Sequence, residues 1–524
     1  MQELQVARKR IYTVNTQGRM LFNSFEFIYL FLPSAVALHF LAARWSTSLA
    51  VAVTILPSLV FYAWWKPPYV ILPIISIMAN YWLARKILLA DVKTARAIML
   101  TGVTANLLVL GYFKYFDFLM SIIEQRNPVA PDVPLALSFT TFVQVAFLVE
   151  LARDRTPIAL PRYAMFVVFF PHLIAGPIVR WTELGPQLAD RLRYRVDWNN
   201  IALGLTIFCI GLAKKVMYAD KLAPHVAGVF DAAATGAPIT AAAAWGASVA
   251  YSVQLYFDFS GYSDMAVGLG LLFNFRLPIN FAAPFRASSI IDLWRRWHIS
   301  LSRFLRDFVY VPMGGSERGR VRQAINLVVT MVLGGLWHGA NWTFIAWGAF
   351  HGVLLVLNHL WRTLRGPQKS NLLSRMFAWL FTFGAFVVGM TMFRSPDIQT
   401  AGHLLEAMAG FGQASAGAPI LVEWDFWGID RGYISESFVR TWLGSYWSVV
   451  GTLLTLTTLA IALFVPDTME VVDYREGEPR TRWRRTRRFL IWRPTAFWAF
   501  AIVALFAVVF LNLNTFTEFL YYKF

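Results

Sequence analysis

Long apolar runs dominate this chain and limit the kind of structure that it can form. A helix that crosses the hydrocarbon core of a bilayer needs about 20 mostly apolar residues, and many such windows occur among the 524 residues. Hydrophobic residues make up 57% of the chain and charged residues only 15%, a balance that excludes an ordinary soluble domain. In lipid the backbone must satisfy its own hydrogen bonds, as a helix does. The sequence therefore predicts an all-α, polytopic membrane protein.

Candidate membrane spans occur along the whole chain, and we expect roughly 11 to 13 transmembrane helices, with re-entrant or interfacial helices between them. The segment 25–43 is predicted to be a first span rather than a cleaved signal, because Arg44 and Trp45 follow it instead of small residues. Two windows, 163–180 and 262–274, are short or interrupted by Gly and Pro, and we expect them to be re-entrant or buried. The candidate windows are 25–43, 49–65, 68–84, 98–118, 134–151, 163–180, 199–217, 241–257, 262–274, 324–340, 342–361, 376–393, 445–465 and 495–513.

The basic residues give an expected orientation, since Lys and Arg collect in cytoplasmic loops. This rule explains the net charge of +17 better than nucleic-acid binding does, so no nucleic-acid partner is expected. The basic residues of 85–96 place that loop in the cytoplasm and the N-terminus outside, whereas those of 1–19 argue for the opposite. We therefore interpret residues 1–19 as an upstream extension, with Met20 as the working start.

The domain boundaries follow from the same rule. Residues 20–393 are predicted to form the core, and residues 394–444, which carry more acidic than basic side chains, an extracytoplasmic segment. Residues 445–513 are predicted to contain the last two transmembrane helices, joined by an arginine-rich cytoplasmic loop. The peptide 514–524, which contains Tyr521, would then lie outside. An aromatic end is also common as an interfacial anchor.

His338 is the first candidate for a catalytic residue. An imidazole, with its near-neutral pKa, is the usual general base for removing a proton from a hydroxyl. His338 follows the pair Gly334-Gly335 at the end of an apolar run. These glycines allow close backbone approach and an irregular turn at membrane depth. The alternative is a core histidine that is satisfied by hydrogen bonds.

His298 is the second candidate, in the arginine-rich segment 292–307. A continuous helix here would place His298, Ser302 and Arg306 on one face. The arginines could hold the phosphates of a coenzyme at a cytoplasmic mouth. An interfacial helix with snorkelling arginines explains the pattern equally well. The predicted donor-binding residues are Arg295, Arg296 and Arg303.

Further polar residues interrupt the apolar runs, and intramembrane ionisable residues are functional candidates by default. The segment 258–264 is expected to line a polar tunnel and support the site rather than to catalyse. His172, between two prolines and near a glycine, indicates a broken or re-entrant helix or, equally, a structural kink. The predicted substrate or tunnel residues are Asp258, Ser260, Tyr262, Asp264, Asn341 and His172.

Metal sites and nucleotide hydrolysis are not favoured, and no bound cofactor is expected. The sequence contains no H-E-x-x-H motif, no phosphate loop and no nucleophile elbow. The single cysteine, Cys209, excludes an intrachain disulfide and argues against thiol catalysis. His351, in an apolar segment beyond His338, is assigned a packing role.

These segments together resemble the membrane-bound O-acyltransferase family, and most closely its alginate O-acetylation branch, with teichoic acid D-alanylation proteins more distant. The resemblance covers most of residues 20–393 and little of 394–494, and its motifs are specific within 254–352. One departure is Thr140, which stands where that branch usually carries an aromatic residue. The similar segments are 22–27, 61–65, 111–115, 169–177, 254–264, 292–307 and 334–341.

The resemblance implies a helical fold around a central tunnel and roles for three residues. His338 corresponds to the family's catalytic histidine, and His298 to a second signature position that is His or Asn among relatives. The end of the chain, 519–524, is similar to a C-terminal peptide of this branch in which a tyrosine is thought to carry the acyl group. Tyr521 is the matching residue, with an interfacial anchor as the alternative.

The resulting prediction is a multi-pass O-acyltransferase of the bacterial inner membrane. It would move an acyl group, expected to be acetyl, from a cytoplasmic thioester such as acetyl-coenzyme A to an extracytoplasmic polysaccharide. Tyr521 would pass the group to a periplasmic acyltransferase partner of the serine-esterase type. The alternatives are direct O-acylation of a lipid or other small hydroxyl acceptor, and a transporter or flippase without acyl chemistry.

Overall fold

Helices make up the regular structure of the chain wherever the structure, a computed structural model, describes it, namely residues 20–123, 133–366, 371–412, 449–474, 491–513 and 520. The α-helices are α1 (Leu32–Ala43), α2 (Thr47–Ala63), α3 (Ile71–Leu89), α4 (Val92–Ile123), α5 (Leu137–Asp154), α6 (Leu160–Val168), α7 (Phe170–Leu173), α8 (Trp181–Ala189), α9 (Trp198–Ala213), α10 (Asp220–Ala234), α11 (Ala241–Leu272), α12 (Ile290–Arg296), α13 (Ile299–Leu305), α14 (Arg320–His338), α15 (Trp342–Arg365), α16 (Leu372–Arg394), α17 (Ile398–Glu406), α18 (Val449–Phe464), α19 (Thr468–Val472) and α20 (Ala496–Leu511). Short 3₁₀ and π-helical segments adjoin several of them.

Seven helical stretches in the described residues are long and apolar enough to cross a membrane by length and composition. They are Glu26–Ala43, Pro67–Leu89, Val92–Ile123, Trp198–Ala234, Trp342–Arg365, Leu372–Arg394 and Gly451–Val472. The shorter apolar helices α2 and α20 accompany them. The predicted class, an all-α polytopic membrane protein, is confirmed.

Two of the predicted windows join in the structure, and a third is interrupted as expected. The windows 241–257 and 262–274 form one continuous helix, α11, because the polar residues between them are buried inside the protein and no loop is needed to expose them. The window 163–180 is broken at Phe169, where α6 ends and α7 begins. Pro171 fits this break, because it has no N–H to bond back to α6 and stands in the first turn of α7, where no such bond is needed.

The chain divides into two compact units that interleave along the sequence. The first unit comprises 1–213, 261–280 and 481–524, and the second comprises 214–260 and 281–480. An aromatic cluster lies in the core of the first unit, where the ring of Phe22 stacks on Tyr262 with centroids 4.8 Å apart and on Phe61 at 5.6 Å. The second unit contains α12 to α19 and both candidate catalytic histidines.

Candidate functional site

His338 is the last residue of α14, and the packing of α14 against α15 fixes its position. The two helices approach so closely that a Cβ on Gly348 would lie 2.8 Å from the Cα of Val332. The backbone then turns sharply, with Gly339 extended and Asn341 capping α15. The glycine pair before His338 therefore does not break the helix, and the irregular turn comes only after the histidine.

Asn341, predicted to line a tunnel, makes structural hydrogen bonds. Its side-chain oxygen accepts from the backbone N–H of Thr343 at 3.0 Å, and its amide donates to the carbonyl of Pro396 at 2.7 Å. These bonds hold the turn between α14 and α15, next to His338. A role for Asn341 towards substrate stays a prediction.

His298 lies at a break between two short helices. Helix α12 ends at Arg296, and His298 is the residue before α13, with a left-handed backbone at φ 46°. The expectation of one continuous helix is wrong here, because a left-handed residue cannot continue a right-handed helix. A non-glycine residue in this conformation is strained. The break points the imidazole into the protein, where it is 1% exposed.

The fold brings the two histidines together. The centroids of the His298 and His338 rings are 6.3 Å apart, with an angle of 57° between the ring planes. The Trp337 ring lies beside both, 5.8 Å from His298 and 4.9 Å from His338. His338 is 7% exposed and His298 only 1%. Both imidazoles are buried, and His338 is the more accessible of the two.

Aromatic rings from other helices frame the pair. Phe259 of α11 packs edge-on against His298 at 4.7 Å. Phe393 of α16 lies 5.0 Å from the His338 ring, and Trp347 of α15 lies 5.5 Å from it at 88°. We did not identify these three rings from the sequence, because aromatic residues are frequent in this chain and their spacing does not show which of them meet. Such walls exclude water and restrict the imidazoles to few orientations.

Burial also sets the charge of His298, which lies outside the seven apolar spans. Desolvation lowers its pKa well below the ordinary value of a histidine, so the ring is neutral at physiological pH. A neutral imidazole carries one N–H donor and one acceptor nitrogen. It can therefore donate a hydrogen bond to a developing oxyanion without competing for the proton that a base must accept.

A buried ion-pair cluster lies along α11 in the second unit. The ammonium group of Lys215 is 2.6 Å from Asp258 and 2.7 Å from Asp220, and all three side chains are buried. Lys215 belongs to a π-helical segment, Lys214–Ala219, between α9 and α10. Asp258 thus pairs with a lysine that we did not identify from the sequence. The sequence contained a signal for this ion pair, because a lysine inside an apolar run needs a buried partner.

The remaining predicted tunnel residues divide between the two units. Ser260 lies in the second-unit part of α11 and is fully buried. His172, Tyr262 and Asp264 belong to the first unit and are buried there. Asp264 faces α9, because a Cβ added to Gly211 of α9 would lie 3.0 Å from the Cβ of Asp264. Tyr262 belongs to the aromatic cluster around Phe22.

The predicted donor-binding arginines lie on α12 and α13, on either side of His298. Arg295 is exposed, and Arg296 is half-exposed and pairs with Asp292 of the same helix at 2.9 Å. Arg303 is half-buried. Positive charge therefore borders the histidine segment, and Arg295 has the greatest access to solvent.

Two further predicted residues lie elsewhere. His351 is fully buried beside the rings of Trp294 and Trp347, as a packing role requires. Tyr521 lies outside the residues that the structure describes. Within the described ranges, no group of three or more His, Cys, Asp or Glu side chains is arranged to hold a metal ion.

The sequence matches the model of one protein family, membrane-bound O-acyltransferase, over residues 59–395. This range includes both histidines and the helices that frame them.

Curated relatives match most of the chain. A peptidoglycan O-acetyltransferase of Helicobacter pylori is 38% identical, covering 76% of this chain and 81% of the relative. A probable alginate O-acetylase of Azotobacter vinelandii is 41% identical, with 75% and 79% covered. A teichoic acid D-alanyltransferase of Bacillus subtilis is 29% identical, with 56% and 76% covered. All three relatives are named for the transfer of an acyl group to a polymer, which is peptidoglycan, alginate or teichoic acid.

Proposed function

This chain belongs to the membrane-bound O-acyltransferase family and is a multi-pass membrane O-acyltransferase, and we propose that it moves acetyl groups from a cytoplasmic thioester to an extracytoplasmic polysaccharide. The observation that carries the proposal is the pair of buried imidazoles, His298 and His338, held 6.3 Å apart within a frame of aromatic rings. The names of the relatives support acetyl as the acyl group and an envelope polymer as the final acceptor.

In the proposed reaction, His338 acts as general base. Its imidazole takes the proton of the acceptor hydroxyl while the oxygen forms a bond to the thioester carbonyl carbon. The carbon–sulfur bond then breaks, and the thiolate takes the proton from the His338 imidazolium and leaves as free thiol. The greater exposure of His338 supports this assignment, because the base must reach the substrate.

His298 is the proposed oxyanion stabiliser. The tetrahedral intermediate places negative charge on the former carbonyl oxygen, and a preorganised N–H donor lowers the barrier most where water is excluded. The neutral, deeply buried imidazole of His298 has these properties. Its left-handed backbone and the Phe259 ring hold it in one orientation.

The proposed donor is acetyl-coenzyme A, which would enter from the cytoplasm. Arg295, Arg296 and Arg303 would bind its phosphates, since guanidinium groups recognise phosphate oxygens well. The bacterial relatives support a location in the inner membrane.

Tyr521 is the proposed first acceptor, and it would carry the acetyl ester to the outer face. A periplasmic acyltransferase partner of the serine-esterase type would then transfer the group to the polymer and restore the tyrosine hydroxyl. The alternative without a relay is direct acylation of a lipid or small hydroxyl acceptor.

The test is intact-mass analysis of the purified full chain after incubation with labelled acetyl-coenzyme A. We expect one acetyl group on the wild type and none on His338→Ala or Tyr521→Phe. His403→Ala is a matched control, because His403 lies on α17 and its ring faces the carbonyl of Ala233 rather than the histidine pair.

The outcomes separate the parts of the proposal. Label that depends on both Tyr521 and His338 supports base and relay together. Thiol release with an added hydroxyl acceptor, but no label on the chain, keeps the transferase and removes the relay. Retained transfer in His338→Ala removes the central assignment. No transfer under any of these conditions would remove acetyl-coenzyme A as the proposed donor.

A further inference from the structure

The first unit contains a cavity that the proposed reaction does not use. It has a volume of about 370 Å³ and lies between α3, α4 and α5. This volume is within the range of sites that bind small molecules. Most of its lining is apolar, including Leu72, Ile75, Val109, Phe113 and Leu135.

Close packing closes one end of the cavity. A Cβ on Gly102 of α4 would lie 2.8 Å from Leu148 of α5 and 2.9 Å from Leu83 of α3, so the three helices meet there with little space between them. Phe113, three helical turns further along α4, lines the cavity. The three helices are therefore in close contact at Gly102 and leave the cavity further along α4.

The polar side chains of the lining are engaged within the protein. Asn80 and Asn106 exchange hydrogen bonds across α3 and α4, at 3.2 Å and 2.7 Å. The Ser76 hydroxyl accepts a hydrogen bond from Gln144 at 2.8 Å, and the Thr140 hydroxyl donates back to the carbonyl of Ala136 at 3.0 Å. A polar ligand would have to compete for these bonds, whereas an apolar one would leave them intact.

The mouth of the cavity is continuous with surface that faces lipid. Ile75 of α3 and Val109 of α4 both line the cavity and are 58% and 49% exposed. Both helices belong to stretches that are apolar and long enough to span the membrane. Exposed apolar side chains on such helices face hydrocarbon rather than water.

We propose that this cavity is a binding site for one acyl chain of a bilayer phospholipid. A hydrocarbon chain can enter between Ile75 and Val109 and gains dispersion contacts on several sides, compared with one side on a flat surface. The bound chain would fill the space between α3, α4 and α5. This inference does not depend on the proposed acyl transfer, and its test does not measure catalysis.

The experiment uses the full chain in phosphatidylcholine vesicles that contain a phosphatidylcholine with a photoactivatable acyl chain. After illumination, the labelled peptides are mapped by mass spectrometry. We expect labelling around Phe113 and Leu135 to exceed, several-fold, the labelling of an exposed apolar face such as Phe377 and Phe381 on α16.

A matched pair of substitutions tests the cavity itself. Ala105→Trp places an indole in the cavity, whereas Leu108→Trp places the same side chain on the 67% exposed face of the same helix, outside the lining. Ala105→Trp should reduce the cavity label several-fold, and Leu108→Trp should leave it unchanged. Thr140→Phe, from α5, fills the cavity independently if Ala105→Trp changes the elution or melting of the protein.

Three results would overturn the proposal. The first is cavity labelling no stronger than on the exposed face of α16. The second is equal labelling in the wild type and in a folded filling variant. The third is labelling by a photoactivatable fatty acid but not by the phospholipid, which would assign the site to a free acid.

Discussion

At the scale of single residues, the two imidazoles have different environments and should respond differently to substitution. His338→Gln keeps a polar side chain of similar length but removes the base. We expect the rate of thiol release to fall by about 10²–10⁴-fold, the range that general bases contribute. Thermal melting should remain close to that of the wild type. A variant that retains most of its rate would show that another group removes the proton.

The left-handed backbone of His298 gives an unusual order of stabilities. Glycine adopts φ 46° without strain, whereas alanine retains a penalty of roughly 1–2 kcal/mol. The melting temperature of His298→Gly should therefore equal or exceed that of His298→Ala. Within a helix, the order of the two variants would be the reverse.

Activity should follow a different order in the same series. His298→Asn keeps an N–H donor and tolerates the left-handed region, so it should retain more transfer than either smaller variant. Loss of the donor should reduce the rate by about 10²–10³-fold. Equal activity of His298→Asn and His298→Ala would argue against an oxyanion role.

At the scale of helices, the close approach of α14 and α15 places His338. Gly348→Ala forces the two backbones apart, because the added Cβ would lie 2.8 Å from the Cα of Val332. Overpacking of this kind costs about 1–3 kcal/mol, and displacement of His338 should also lower the rate. Gly384→Ala on α16 is the control, since its Cβ meets no atom within 4 Å. Melting and thiol release of both variants test this, and equal behaviour would contradict it.

The Lys215 cluster holds its π-helical segment against α11. Lys215→Met removes the cation that pairs with the buried Asp220 and Asp258. Breaking a buried ion pair typically costs about 3–5 kcal/mol. We expect a large fall in melting temperature.

The control is Lys221→Met, because Lys221 lies on α10 and is only half-buried. This variant should change the melting temperature little. Adding Asp258→Asn to Lys215→Met should recover part of the loss, whereas a further decrease would argue against a charge effect.

At the scale of the whole molecule, the units are built from separated stretches of chain. In the first unit, α20 packs against α9, and Phe510 contacts Phe25 edge-on at 5.8 Å. Removing residues 491–524 should therefore destabilise the first unit, as seen by loss of the monodisperse peak on size exclusion. Removing only 514–524 leaves α20 intact, so the protein should fold but, under the relay proposal, should not acetylate polymer. Normal folding of the longer deletion would contradict the structural role of α20.

The sequence by itself determined the membrane class, the all-α fold and the family, and it singled out two histidines that the structure places side by side. These properties are local: apolar run length defines a span, and a histidine beside tryptophan and glycine is visible in a short segment. The spans 342–361 and 495–513 accordingly agree with α15 and α20 to within a few residues.

Only the tertiary structure decided how distant residues meet. It joined the windows 241–257 and 262–274 into α11, broke the helix at His298, and set Phe259, Trp347 and Phe393 around the histidine pair. It also paired Asp258 with Lys215. The physical reason is that the free-energy cost of a buried charge or a strained backbone depends on neighbours far away in the chain. The pattern of residues within one segment does not indicate which neighbours these are.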